Sequence, residues 1–204
     1  MPPLATGLMQ PEHITGPGID LVLYRQFIAP SDSARLLRTL SEEIHWRQDR
    51  IRLFGREHAI PRLQQFQGEA GLHYRYSGLQ LDAAPWHPLV EQLRQKIAQV
   101  VPWTFNCVLL NLYRDGSDSM GWHSDDEPEL GLNPVIASLS LGQPRRFLLR
   151  HRQLPQQPKI ELTLDDGSLL LMRGSTQHHW QHALPRTRRA CAPRLNLTFR
   201  YITG

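Results

Sequence analysis

Three short runs of this chain combine residue types that could work on a common chemistry. In Gly121-Trp122-His123-Ser124-Asp125-Asp126-Glu127, His123 and Asp125 are two apart, so on a strand both would point to the same side. An imidazole and a carboxylate so placed can grip one metal ion. Some sixty residues on, the run Gln177-His178-His179-Trp180-Gln181-His182 offers three further imidazoles. Two histidines and one carboxylate, with coordination positions left open, form the facial triad of non-haem Fe(II) sites, although zinc accepts the same donors. The residues alone leave open which of His178, His179 and His182 completes the set. The third run, Arg194 to Tyr201, alternates strictly: Arg194, Asn196, Thr198 and Arg200 share one face, and Leu195, Leu197, Phe199 and Tyr201 the other. A metal with open positions needs a cosubstrate. A 2-oxo acid chelates through its carboxylate and keto oxygens, and its remote carboxylate then needs a cation, which the Arg194 strand supplies. Asn111 and Tyr113 end another apolar run on one face, as residues at a pocket rim do.

These groups must be held by a scaffold, and the pattern of the chain suggests one. Two segments have helical spacing. One starts at Ser31, a candidate N-cap, and carries Ala34, Leu36, Leu37, Leu40 and Ile44; the other runs from His87 to Val101 with Val90, Leu93 and Ile97 on one stripe. After Pro102 the period becomes two. Strands are expected over 105–113, 134–141, 146–151, 160–164, 168–172 and 194–201, and further ones near 21–25, 50–54 and 76–82, divided by turn signals such as Asp115-Gly116 and Asp165-Asp166-Gly167. Helices followed by many short strands predict a mainly β fold with flanking helices around a jelly-roll core. Residues 1–18, rich in Pro and Gly, read as a flexible N-terminal arm or as an extended strand laid on a single domain over 19–204.

Composition narrows the class. The chain has 204 residues, 40% hydrophobic and 21% charged, enough for one self-sufficient core and too apolar for disorder. No apolar run reaches the ~18 residues a bilayer requires. No Lys or Arg precedes Arg25, so a basic signal region is not expected, and Cys107 and Cys191 form no paired motif; a cytoplasmic protein is the expectation. The net charge of +4 is unevenly divided: residues 145–204 carry +8 and residues 1–144 carry −4, and 21 of the 23 basic residues are arginines. Such a basic half suits a polyanion.

Taken together, Asn111-Leu-Tyr-Arg-Asp-Gly, Trp122-His-Ser-Asp-Asp-Glu, Ile136-Ala-Ser-Leu-Ser-Leu-Gly, Trp180-Gln-His-Ala-Leu-Pro and Ala192-Pro-Arg-Leu-Asn-Leu-Thr-Phe-Arg closely resemble the AlkB family over roughly residues 20–201. That resemblance implies a double-stranded β-helix core and an Fe(II)- and 2-oxoglutarate-dependent dioxygenase. Such an enzyme uses O2 to remove alkyl groups from bases such as 1-methyladenine and 3-methylcytosine, releasing formaldehyde, succinate and CO2. It implies His123, Asp125 and His182 as iron ligands, and Asn111, Tyr113, Arg194, Asn196, Thr198 and Arg200 as the 2-oxoglutarate pocket. Arg194 would meet the remote carboxylate, with Arg200 nearer the chelating end. A nucleotide-recognition segment is implied at about 47–82. There Tyr76 would stack on a flipped base, with Tyr74 and Ser77 beside the nucleotide and Phe54 as a wedge. Asp126 or Glu127 would accept from an exocyclic amine. The implied partner is DNA, with RNA as the alternative, and the implied state a monomer. The rival expectations are a same-fold oxygenase acting on a protein or small molecule, and a non-catalytic nucleic-acid binding module.

Overall fold

The computed structural model describes residues 10–53, 55–76 and 79–203. The elements run in chain order as β1 (Glu12–Gly16), β2 (Ile19–Tyr24), α1 (Pro30–Glu43), β3 (Arg50–Leu53), β4 (Arg56–Ala59), β5 (Leu63–Gly68), β6 (His73–Tyr76) and β7 (Leu79–Asp82). They continue with α2 (Pro88–Ala98), β8 (Cys107–Tyr113), β9 (Met120–His123), β10 (Ile136–Gly142), β11 (Arg145–His151), β12 (Ile160–Leu164), β13 (Leu169–Arg173), the short α3 (Thr176–His179), β14 (Trp180–Leu184) and β15 (Arg194–Arg200).

Seven strands form one antiparallel sheet in the order β1-β2-β13-β10-β15-β8-β5, and four form a second in the order β12-β11-β14-β9. Hairpins β3–β4 and β6–β7 stand apart as two-stranded ribbons. The two sheets make the jelly roll, and the large sheet is buried on both faces. One face carries Val108, Leu110, Leu195, Leu197 and Phe199 against Leu36 and Leu40 of α1 and Leu93 and Ile97 of α2. The other carries Cys107, Leu109, Ile136 and Leu170 together with Phe147 and Leu149 of the small sheet. Strict alternation puts the two faces of β15 into different surroundings, and β15 is buried along its whole length because β10 and β8 flank it.

Several local expectations change. Helix α1 begins at Pro30 with Ala29 at its N-cap, so Ser31 lies inside the first turn and caps nothing. Proline at the first helical position has the right φ and no amide that needs a partner. Helix α2 stops at Ala98 and Val101 reaches the core from the following turn; His87 caps it, its ring accepting from the Leu89 amide. Tyr201 lies past the end of β15 and is 49% exposed, not on the apolar face. Within the amino-terminal segment, Glu12–Gly16 pairs antiparallel with β2, so these residues are an extended strand laid on the large sheet rather than a free arm. Gly167 has φ of +73° and a Cβ there would stand 2.2 Å from the Ile28 carbonyl oxygen, so this turn before β13 requires glycine.

Candidate metal centre and cosubstrate pocket

The small sheet brings two imidazoles together edge to face. His123, at the end of β9, pairs with His182 of β14, and their ring centroids are 4.2 Å apart. Asp125 lies beyond the end of β9 and not on it, which corrects the same-strand expectation. The chain leaves the ladder at Ser124, whose hydroxyl donates to the Trp180 carbonyl, and the Asp125 amide donates to Gln177 Oε1 at 2.9 Å. That turn carries the Asp125 carboxylate inward to complete burial. Its Oδ1 lies 3.9 Å from His123 Nε2, and one ligand atom from each of His123, Asp125 and His182 falls within 4.8 Å of the others. The other two histidines are engaged elsewhere: His178 Nε2 accepts from the Asn133 amide, and the His179 ring stacks on His151.

The electrostatics suit a cation. His123 Nδ1–H donates to the Gly121 carbonyl at 2.9 Å, which leaves the Nε2 lone pair toward Asp125. Burial, reinforced by the neighbouring imidazole of His123, pushes the His182 ring down to about 3, so at neutral pH it is an uncharged ligand. Burial opposes ionisation of Asp125, but the Arg200 guanidinium, followed by the two imidazoles, holds it at about 2. Arg200 Nη2 stands 3.0 Å from Asp125 Oδ2, yet neither carboxylate oxygen has an aligned hydrogen-bond donor. A buried carboxylate with both oxygens unsatisfied beside two neutral imidazoles fits a divalent metal ion.

These shifts have a consequence for the metal-free protein. A His182 that takes its proton only near pH 3 when folded, against about 6.5 when free, makes the unfolded chain the better proton binder between those values. Stability should therefore be complete above about pH 6.5 and fall as the pH drops toward 3. A thermal-melt series should show that fall, and His182→Gln should flatten it; an equal fall in the variant would remove the assignment.

A second group of residues lines the same cavity from the large sheet. Asn111 and Tyr113 come from β8, Ser138 from β10, and Arg194, Asn196, Thr198 and Arg200 from β15; Leu109, Met120, Phe147, Met172 and Leu184 supply apolar walls. Arg194 is 2% exposed and has no carboxylate partner among the described residues. Its Nη2 donates to Ser140 Oγ at 2.9 Å, its guanidinium carbon lies 5.3 Å from the Tyr113 ring centre, and its Nε is unpartnered. Burial pushes this guanidinium down to about 10. An uncompensated buried cation in a cavity is a site for an anion. Asn196 is committed to the scaffold: its amide donates to Ser138 Oγ and the Leu139 carbonyl and accepts from Thr198. Both residues brace the pocket wall. Ser138, Ser140 and Gln177 were not expected from the sequence. The alternation of small polar residues in Ala137-Ser138-Leu139-Ser140 carried a signal for two of them. Arg62, which falls in the segment expected to meet the nucleotide, is buried and donates through Nε to Asn111 Oδ1 at 2.8 Å.

The expected substrate-side residues are less gathered. Tyr74 is fully buried, packed on Phe66 and beneath Arg200, with its hydroxyl donating to Glu127 Oε2 at 2.9 Å. Asp126 is ion-paired with Arg152. Tyr76 is placed by its backbone at the end of β6, and Phe54 and Ser77 lie outside the described residues.

Residues 20–200 match the model of the 2OG-Fe(II) oxygenase superfamily. Mouse "DNA oxidative demethylase ALKBH2" is 40% identical over 188 residues, covering 88% of this chain and 79% of that protein. The human protein of the same name is 39% identical, covering 93% and 76%. Human "Alpha-ketoglutarate-dependent dioxygenase alkB homolog 3" is 38% identical, covering 88% and 65%. The solved structure of OsALKBH1 superposes with a TM-score of 0.64 at 18% identity, covering 94% of this chain and all of that one, and bears on the fold alone. The chain is therefore a 2-oxoglutarate- and Fe(II)-dependent oxygenase, with O2 as co-reactant. Within that superfamily it belongs to the AlkB family. Among the described residues no helix is long and apolar enough to cross a membrane.

Proposed function

We propose that this chain removes N-alkyl groups from DNA bases such as 1-methyladenine and 3-methylcytosine. The observation that carries this reading is the joint placement of the buried His123–Asp125–His182 cluster and the unpaired Arg194 in one cavity, in a chain about 40% identical to proteins named DNA oxidative demethylases. His123, Asp125 and His182 would hold Fe(II). Arg194 would take the remote carboxylate of 2-oxoglutarate, with Asn111, Tyr113 and Arg200 around the rest of it and Asn196 and Thr198 bracing the wall.

With Fe(II), 2-oxoglutarate and O2 bound, the site supplies oxidation of an N-methyl carbon, which leaves as formaldehyde while the cosubstrate becomes succinate and CO2. The chain's own residues do the positioning. Arg200 keeps Asp125 ionised and fixed, and the Gly121 carbonyl keeps His123 in one tautomer. Leu109, Met120 and Phe147 exclude water from the reacting carbon. A base methylated at these ring nitrogens carries a fixed positive charge, which the acidic run Asp125–Glu127 would favour. Tyr76 would stack on the base, Tyr74 would orient Glu127, Asp126 and Ser77 would contact the nucleotide, and Phe54 would wedge the strand. On this reading the protein acts as a monomer in the cytoplasm, where its two free cysteines stay reduced.

The test is formaldehyde release, with Fe(II), ascorbate and 2-oxoglutarate, from matched 3-methylcytosine oligomers as single-stranded DNA, duplex DNA and single-stranded RNA. Product from the DNA oligomers that requires 2-oxoglutarate, with affinity that falls as salt rises, supports the reading. Absence of product from all three, with 2-oxoglutarate still bound, would move the substrate away from methylated bases.

A further inference from the structure

Arg62 lies just before β5, 5% exposed, and no carboxylate pairs with it among the described residues. Its Nε–H donates to Asn111 Oδ1 at 2.8 Å. Asn111 is itself 2% exposed, is fixed on β8, next to the edge of the large sheet, between Gln64 of the edge strand β5 and Asn196 of β15, and lines the cavity that holds the His–Asp–His cluster and Arg194. A guanidinium has donors and no acceptor. The Asn111 atom that faces it must therefore be the oxygen, which turns the amide NH2 away from Arg62. Among the described residues Arg62 is the one hydrogen-bond partner of the Asn111 side chain, so without it the amide could flip by 180° and offer an oxygen to an anionic ligand.

We propose that Arg62 is a positioning residue for the 2-oxo acid. It fixes the polarity of the Asn111 amide so that the NH2 group serves as a donor to the cosubstrate. This rests on the reading that 2-oxoglutarate occupies the cavity beside Asn111. Arg62 also lines an adjoining cleft of about 540 Å³ beneath the β3–β4 hairpin, which shares Met120 and His123 with the cosubstrate cavity; Arg62 itself does not line the cosubstrate cavity and reaches it by way of Asn111. Its effect on the cosubstrate is accordingly indirect, and it disappears when Asn111 has no amide to orient.

The experiment is a titration of the Fe(II)-loaded protein with 2-oxoglutarate in the absence of oxygen, followed by the charge-transfer absorption of the chelated 2-oxo acid and by calorimetry. Wild type, Arg62→Ala, Arg62→Lys, Asn111→Ala and the double variant Arg62→Ala/Asn111→Ala are compared, with thermal melts to show that each is folded. Arg62→Ala should weaken binding about tenfold, the effect of losing one well-placed hydrogen bond. Arg62→Lys, which keeps a donor, should recover part of that loss. The double variant should bind no more weakly than Asn111→Ala alone, a non-additivity that a general destabilisation would not produce. Arg62→Met, which keeps bulk and removes the donors, replaces the alanine if that variant does not fold. Unchanged affinity in Arg62→Ala, or losses that multiply in the double variant, would overturn the proposal. Failure of the wild type to bind 2-oxoglutarate at all would instead overturn the cosubstrate reading on which it rests.

Discussion

Replacing Asp125 with Ala is expected to abolish 2-oxoglutarate-dependent formaldehyde release and to leave the purified protein unable to retain Fe(II). Asp125 contributes the one carboxylate of the cluster, and both its oxygens are buried without aligned donors. The same change should also weaken the metal-free fold. Arg200 is 3% exposed and its partner across 3.0 Å is Asp125, so the alanine strands a buried guanidinium, a loss of about 3–5 kcal/mol in comparable cases. Asp125→Asn keeps the shape and removes the charge, and should lose the metal in the same way. Metal content, formaldehyde yield and a denaturant melt check these statements; full activity in Asp125→Ala would dismiss the triad.

The second large effect has opposite signs in the two states of the protein. Arg194→Met removes a buried, uncompensated cation and fills its space with an apolar side chain. Metal-free and cosubstrate-free, the variant should be at least as stable as the parent, by analogy with buried ion pairs, whose exchange for apolar residues of similar volume is neutral or stabilising by about 1–4 kcal/mol. Affinity for 2-oxoglutarate should fall by about 10²–10³, the equivalent of about 3–4 kcal/mol for a buried charge left unmatched. A higher melting temperature together with a weaker titration would show that the arginine is held against the interest of the fold. A lower melting temperature with unchanged affinity would make Arg194 a structural residue.

Strict alternation in 194–200 foretold which side chains of β15 face the cavity, since a strand flanked on both sides can follow only the period of its pleat. The histidines were harder. Periodicity leaves His178, His179 and His182 equivalent; what separates them is that α3 ends at His179, so that only His182 lies on β14 opposite His123. Asp125 was legible as a residue and not as a geometry, because its inward turn depends on a Gln177 contact 52 residues away in sequence. Arg62 was legible as a basic residue of the nucleotide-recognition segment, and its contact with Asn111 was not, for the same reason. Alone it is one of many arginines, and its role arises from the β5–β8 pairing that lays it beside Asn111. The first turn of α1 shows the limit of composition rules in the other direction, where Pro30 starts the helix and makes the Ser31 cap unnecessary.

The two sheets divide the work. His123 and His182 belong to the four-stranded sheet and Asp125 follows its edge strand, whereas Asn111, Arg194 and Arg200 belong to the seven-stranded sheet. On the proposed reading, His123, Asp125 and His182 would hold the metal end of one 2-oxoglutarate and Arg194 its remote carboxylate, so that the cosubstrate would bridge the two leaves of the sandwich. A cosubstrate that ties the two leaves together would stabilise the assembled sandwich, so that 2-oxoglutarate should raise the melting temperature of the metal-loaded protein and lose that effect in Arg194→Met.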